Sequence, residues 1–225
     1  MAAVEVVEIR RFPVKSLGGE LLQTAQVEER GLAGDRLWAV RDEDGKLGSG
    51  KNTRRFRRMP GLLSMRAHGD GVVELPDGRR FAVDDPAGHR AVSHLLSRNV
   101  TIEREQQVKH HDEGPVSVIS TAALRRLGEL VGEPVDPLRF RANVLVDLPG
   151  SGFLEDGWLG GNVQVGPEVV LRPVRRLTRC VMVDLGQKDG RLLKAVADHH
   201  EMTFGVWATV ERPGRIAVAD SVRVG

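Results

Sequence analysis

Short segments of β-branched or alternating apolar residues recur along nearly the whole chain, each closed by turn formers, and this punctuation limits the fold more than any other feature. Val4 to Arg11, Thr24 to Glu28, Arg36 to Arg41, Leu62 to Ala67 and Val72 to Leu75 read as strands. Asp42-Glu43-Asp44-Gly45 and Pro76-Asp77-Gly78 supply tight turns, because Asp and Gly accept backbone angles that bulky residues resist. An antiparallel meander is the expected result. After Pro137 the pattern resumes with Asn143 to Asp147, Asn162 to Val165, Glu168 to Arg175, Thr203 to Glu211, Arg215 to Val218 and Ser221 to Val224. Helices are few. One starts near Thr121, where Ser120 or Thr121 caps it and Ala122, Leu124, Leu127, Leu130 and Val131 keep helical spacing until Gly132. A second covers about Leu192 to Glu201, and a short third lies around His89 to Ser97. The fold class is therefore mainly β with a few helices, in a barrel or sandwich. The polar, turn-rich stretch Gln106 to Pro115 is the expected boundary between an N-terminal part and a C-terminal barrel.

Cys180 is the single cysteine. One thiol forms no internal disulfide and supplies no four-thiolate cage, so a chemical role must be that of nucleophile, sulfur carrier or lone metal ligand. It lies in Arg175-Arg176-Leu177-Thr178-Arg179-Cys180, where nearby cations favour thiolate over thiol. The competing reading is a small buried hydrophobe, since free cysteine is often buried. Six lysines stand against twenty-seven arginines, yet the formal net charge is only +2. The basicity is local, which suits bidentate recognition of phosphate or carboxylate and argues against a non-specific nucleic-acid protein. No apolar run approaches a membrane span, and Met1-Ala2-Ala3-Val4-Glu5 lacks the order of a secretory signal, so no membrane association and a cytoplasmic, reducing setting are expected.

Several clusters carry donor groups. Phe12-Pro13-Val14-Lys15-Ser16-Leu17-Gly18-Gly19 follows the first strand with a cation, a hydroxyl and two glycines that let backbone approach a ligand; an ordinary strand exit is its plainer use. Arg54-Arg55-Phe56-Arg57-Arg58 is the densest basic run and reads as a solvated loop, a pocket wall or a nucleic-acid contact. Arg139-Phe140-Arg141-Ala142-Asn143 leads into a strand, so alternation places Arg139, Arg141 and Asn143 on one face. His110-His111-Asp112 and Asp198-His199-His200-Glu201 lack the His-Glu-x-x-His spacing of a zinc helix, and no Gly-x-Ser-x-Gly elbow occurs.

Read together, the pieces resemble the MOSC family, named for the C-terminal domain of molybdenum cofactor sulfurase, and within it the branch of the amidoxime-reducing component and bacterial N-hydroxylated-base reductases. Pro13-Val14-Lys15-Ser16 is similar to that branch's opening Tyr-Pro-Val-Lys-Ser, with Phe12 for tyrosine. Gly34-Asp35-Arg36-Leu37-Trp38 is similar to its Asp-Arg-x-Trp strand, and Phe140-Arg141-Ala142-Asn143-Val144 to Phe-Arg-Pro-Asn-Ile/Val. Glu155-Asp156-Gly157-Trp158 matches an acidic-aromatic turn, Thr178-Arg179-Cys180 the Ser/Thr-Arg-Cys motif, and Pro213-Gly214-x-Ile216 the closing strands. The resemblance implies a MOSC β-barrel over 108–225 and a smaller N-terminal β-rich domain over 1–107.

It also implies a molybdenum cofactor. Cys180 would be the catalytic position and the metal's thiolate ligand, with Lys15, Ser16, Arg141, Asn143, Thr178 and Arg179 holding the pterin and its phosphate, and Arg36 and Ser120 as further contacts. Ala142 replaces the usual proline, Ala219-Asp220 replaces a closing Gly-Asp, and Gly48-Ser49-Gly50-Lys51 stands where relatives carry an Ala-Arg pair, leaving Lys51 as the substitute. The implied activity is reduction of small N-hydroxylated compounds. One cysteine cannot hold a four-cysteine iron–sulfur cluster, so electrons would come from a separate electron-transfer protein. The alternatives are a non-catalytic cofactor or persulfide carrier, and a nucleic-acid-binding β protein working through Arg54 to Arg58.

Overall fold

The structure is a computed structural model that describes residues 4–69, 71–107, 109–111, 114–184 and 190–225. The chain forms two compact bodies, each assembled from non-contiguous stretches: 1–10, 21–33 and 113–225 in one, 11–20 and 34–112 in the other. One border between the two bodies lies at 112/113. That residues 1–10 and 21–33 join the C-terminal stretch is an arrangement no linear division expresses.

The larger body is organised by an eight-stranded sheet in the order Val222–Val224, Val163–Val165, Val169–Thr178, Thr203–Arg212, Val116–Ser120, Val144–Asp147, Glu5–Arg11, Glu20–Leu22. Its central strands are buried on both faces. Val118 and Val144 point into one apolar cluster, while their neighbours Ile119 and Leu145 point into another beneath two helices, as the two-residue period of a strand requires. Val206 and Phe204 also divide between the two clusters although they are two residues apart, because Gly205, at φ 76, breaks the alternation. A small sheet of Gly214–Ala217, Thr24–Glu28 and Gly31–Leu32 closes the first cluster with Ala25, Val27, Leu32 and Ile216.

The expected meander holds only in part. Val116–Ser120 and Val144–Asp147 run parallel, with Val118 opposite Val144, and parallel neighbours need a crossover rather than a hairpin. Helix α2 (Thr121–Val131) lies in that crossover, with α1 (Pro86–Leu96) earlier in the chain and α3 (Arg191–His200) later. The Ser120 side chain accepts the Ala123 N–H at 3.0 Å to begin α2, and Gly132 ends it at φ 80.

In the smaller body Trp38–Asp42 pairs with Val100–Arg104 and Leu47–Ser49, parallel Val14–Lys15 lies beside Trp38–Asp42, and parallel Phe56–Arg58 extends Leu47–Ser49. A second sheet joins Arg80–Ala82, Val72–Glu74 and Arg66–His68. Val14, Leu17, Val40, Met65, Val73, Val92 and Ile102 meet in one core. Helix α1 begins before its expected start at His89, because Asp85 caps the Ala87 N–H and Pro86 fits the first helical position. The expected strand Leu62 to Ala67 begins instead as a 3-10 turn over Leu62–Ser64: Gly61, at φ 99, turns the chain and its carbonyl takes the Ser64 hydroxyl at 2.7 Å.

Candidate functional site

Cys180 sits where Val169–Thr178 ends against the start of Thr203–Arg212, with Thr178 opposite Thr203 and an irregular register beside it. Thr178 is exposed at the strand end. A 3-10 turn over Val181–Asp184 follows, and the Cys180 carbonyl accepts the Val183 N–H at 3.1 Å. The thiol is unpaired in any disulfide and partly exposed. Arg179 turns inward: Nε and Nη2 donate to the Phe204 carbonyl at 2.9 and 2.6 Å, and Nη1 to the Phe140 carbonyl at 2.7 Å. Its guanidinium also lies 5.3 and 5.9 Å from the Phe140 and Phe204 ring centres, which stack on each other at 3.9 Å. The charge assigned to the cofactor from sequence thus secures the strand end.

The segment before Asn143 differs from the expected strand. Pro137–Phe140 is a 3-10 turn begun by the Asp136 carboxylate, which accepts the Leu138 N–H at 2.8 Å, and Arg141 follows at φ 52. The strand starts only at Val144, so alternation does not put Arg139, Arg141 and Asn143 on one strand face. A non-glycine residue in the left-handed region costs about 1 kcal/mol, met here by the Arg141 N–H donating to Leu138 at the close of the turn. Arg139 instead donates Nε to the Val183 carbonyl at 2.7 Å and Nη2 to Asp184 Oδ1 at 2.9 Å.

Asn143 is fully buried. Its Oδ1 accepts the Ser117 hydroxyl at 2.8 Å and the Ser117 N–H at 3.1 Å, while Nδ2 donates to the Arg10 carbonyl at 3.2 Å, lacing three strands together. The buried Ser120 hydroxyl donates to Glu155 Oε2 at 2.6 Å while serving as the α2 cap. Glu155 has 0% exposure and no partner for Oε1 among the described residues, and burial raises its pKa. Next to it, Asp156 faces His200 Nε2 at 2.9 Å; the same ring meets the Thr203 carbonyl at 2.8 Å and stacks on Phe153 at 3.7 Å. Ser117 and Glu155 escaped assignment from sequence, although the acidic-aromatic turn around Glu155 was the available signal for one of them.

The smaller body carries Lys15, Ser16, Arg36 and Lys51. Lys15 is buried and donates Nζ to the His110 carbonyl at 2.9 Å. Arg55 donates to the carbonyls on either side, Lys109 and, at 3.5 Å, His111. Lys15, Lys51 and Arg55 stand 5.1, 5.4 and 5.2 Å from the centre of one ring, Phe56. Lys51 is exposed; Ser16, at φ 68, donates its hydroxyl to the Gly48 carbonyl at 3.0 Å. Arg36, at φ 51, pairs with the fully buried Asp35, whose Oδ1 accepts the Phe12 N–H at 2.8 Å.

Two sequence readings change here. A side chain on Gly19 would meet the Arg11 carbonyl at 2.3 Å, so its close approach is to its own chain. Within the basic run, Arg57 Nε donates to Asp42 at 2.8 Å. Burial works to raise the Asp42 pKa, but the Arg57 and Lys46 hydrogen bonds and the charges of Arg57 and Arg98 outweigh it and hold the carboxyl below its usual range. His110 is 1% exposed with neither ring nitrogen hydrogen-bonded among the described residues. Burial pushes its pKa down to about 4, against Glu105 and with Arg41, Lys15 and Arg55. Among the described residues no three His, Cys, Asp or Glu side chains gather as a metal cage, and no helix is long and apolar enough to cross a membrane. Asp112 lies outside the described residues.

Comparison with known proteins agrees with this architecture. The MOSC N-terminal beta barrel domain matches residues 3–117 and the MOSC domain residues 105–223. Mitochondrial amidoxime reducing component 2 of Bos taurus is 25% identical, over 96% of this chain and 82% of its own. The crystal structure of the YuaD protein from Bacillus subtilis superposes with a TM-score of 0.55 at 16% identity, over 99% of this chain and 96% of that one, and shares the fold. With a family match over more than half its length and the Cys180 turn at the end of the long strand of that domain, the chain belongs to the MOSC domain family.

Proposed function

We propose that this chain binds a molybdenum cofactor through Cys180 and reduces small N-hydroxylated compounds with electrons from a separate protein. The observation that carries the reading is the lone, partly exposed thiol on a turn anchored by charged hydrogen bonds. A soft sulfur donor without a surrounding cage suits a metal that arrives with its own organic ligands. The residues fit the group unevenly. Cys180 is the metal ligand and the reacting position, and Thr178 and Arg141 are direct contacts of the pterin on the same body. Arg179, Asn143 and Ser120 serve chiefly by fixing backbone, because their side chains hold protein groups. The family resemblance also gives Lys15, Ser16, Arg36 and Lys51 to the cofactor, and within the smaller body Lys15 and Lys51 gather with Arg55 around the Phe56 ring.

When bound, the cofactor supplies a two-electron metal couple able to take oxygen from nitrogen. The chain's own part is to hold the sulfur, bind the anionic end of the cofactor and orient the substrate. The name of the bovine relative, an amidoxime reducing component, supports this substrate class. A cytoplasmic, reducing setting keeps Cys180 free. The test is expression in a host that makes the cofactor, with molybdenum and pterin quantified for wild type and Cys180→Ala. Metal in the wild type with a severalfold loss in the variant is expected; equal, near-zero metal in both sinks the reading. Retained metal without reduction of amidoximes or hydroxylamines by several artificial donors supports a carrier instead.

A further inference from the structure

We propose that Arg139 is a positioning residue for Cys180, forming with Arg179 a reciprocal clasp on the turn that presents the thiol. Arg179 precedes Cys180 and reaches out to the carbonyl of Phe140, the residue after Arg139. Arg139 reaches back to the carbonyl of Val183 and the carboxylate of Asp184, on the far side of Cys180. The two turns are therefore strapped together at both ends, once by an arginine of each. Each guanidinium binds with a rigid, planar fork, which fixes direction as well as distance.

Asp184 extends the clasp. Its second oxygen accepts the Leu193 N–H at 3.2 Å, standing in for the side-chain cap that Gly190 cannot give α3. Asp184 is buried, and the Arg139 side chain is 17% exposed, so these bonds are shielded from water. Main chain on both sides of Cys180 is anchored, and the remaining freedom lies in rotation of the cysteine side chain. That is the arrangement a lone sulfur ligand needs, since a site works only when its supports hold it within roughly 0.5 Å.

Arg125 provides the control. It donates Nε to the Gly150 carbonyl at 2.8 Å and Nη2 to the Leu148 carbonyl, the same kind of bonds made away from Cys180. The inference rests on the proposed function only in giving Cys180 a role, and its test needs no cofactor.

The experiment measures the rate of iodoacetamide alkylation of Cys180 in the cofactor-free full chain at one pH, beside the thermal midpoint, for five proteins. Arg139→Gln is expected to alkylate about five-fold faster than wild type as the turn opens. Arg139→Lys, which keeps charge without the fork, falls between them. Asp184→Asn keeps an acceptor for Leu193 but loses the ion pair, and shifts the rate the same way by less. Arg125→Gln leaves the rate unchanged. Equal rates for Arg139→Gln and wild type, or equal changes in Arg139→Gln and Arg125→Gln, overturn the proposal; should Arg139→Gln not fold, a wild-type rate in Asp184→Asn does so. An alkylation response in a chain that never takes up molybdenum leaves the clasp standing and removes the cofactor reading.

Discussion

The two bodies use one device to opposite ends. In the smaller, Lys15 and Arg55 donate to the three successive carbonyls of Lys109, His110 and His111, and the residue at the centre is a buried imidazole without a hydrogen-bond partner among the described residues. In the larger, Arg139 and Arg179 donate to the carbonyls of Phe140, Val183 and Phe204, and the residue between the contacts is a partly exposed thiol. A cation that donates to carbonyls is a strut, whatever motif it sits in. Whether the residue it secures can react with anything is decided by burial.

The largest expected effect breaks the symmetry between the struts. Arg179→Met removes donors to two carbonyls, with loss of about 3 kcal/mol in urea unfolding, because hydrogen bonds from charged groups contribute roughly 1.5–3 kcal/mol each and part of that is recovered by water. Lys15→Met, with one carbonyl bond described, is expected to lose about half as much. Equal losses would mean that the two regions are not distinguished by the extent of their clamping.

The next effect is a pH dependence confined to the smaller body. His110 is held near 4 in the fold, against about 6.5 in an unfolded chain, so the unfolded state binds more protons between those values. Stability from this group is therefore full above about 6.5 and falls as pH drops toward 4, by on the order of 2 kcal/mol. His110→Leu should flatten that part of a urea-midpoint-versus-pH curve; an unchanged slope refutes the assignment. Smallest is Glu155→Gln. A carboxyl with a raised pKa loses its stabilising contribution as pH rises, so the neutral amide is expected to raise the thermal midpoint slightly at pH 8 and to leave it unchanged at pH 4. A lower midpoint at pH 8 would show that Ser120 needs a carboxylate.

Much of the fold was legible because local chemistry and final structure agree. Ser120 and Gly132 bound α2 as their side chain and backbone preferences require, and Thr24–Glu28 is the strand its alternation indicates. The misreadings arise where a long-range partner competes with a local pattern. Asp136 and Pro137 draw Arg139 into a 3-10 turn, and Arg139 then finds its acceptors 44 and 45 residues away. No strand was read at Val116–Ser120, and its parallel pairing with Val144–Asp147 was hidden as well, since buried strands look alike whichever way their neighbours run.

The candidate site divides the same way. Cys180, Lys15, Arg141 and Asn143 stand out by residue type and by their order along the chain, and so does the family to which the chain belongs. Their order could not show that Asn143 is locked to Ser117 or Ser120 to Glu155. By itself the sequence determined helices α1, α2 and α3, most of the longer strands, the single sulfur and the supply of cations, all properties of residues and their near neighbours. The tertiary structure alone decided which cations are spent on carbonyls and which side chains stay within reach of solvent, because hydrogen-bond satisfaction and burial depend on groups that meet only when distant segments pack.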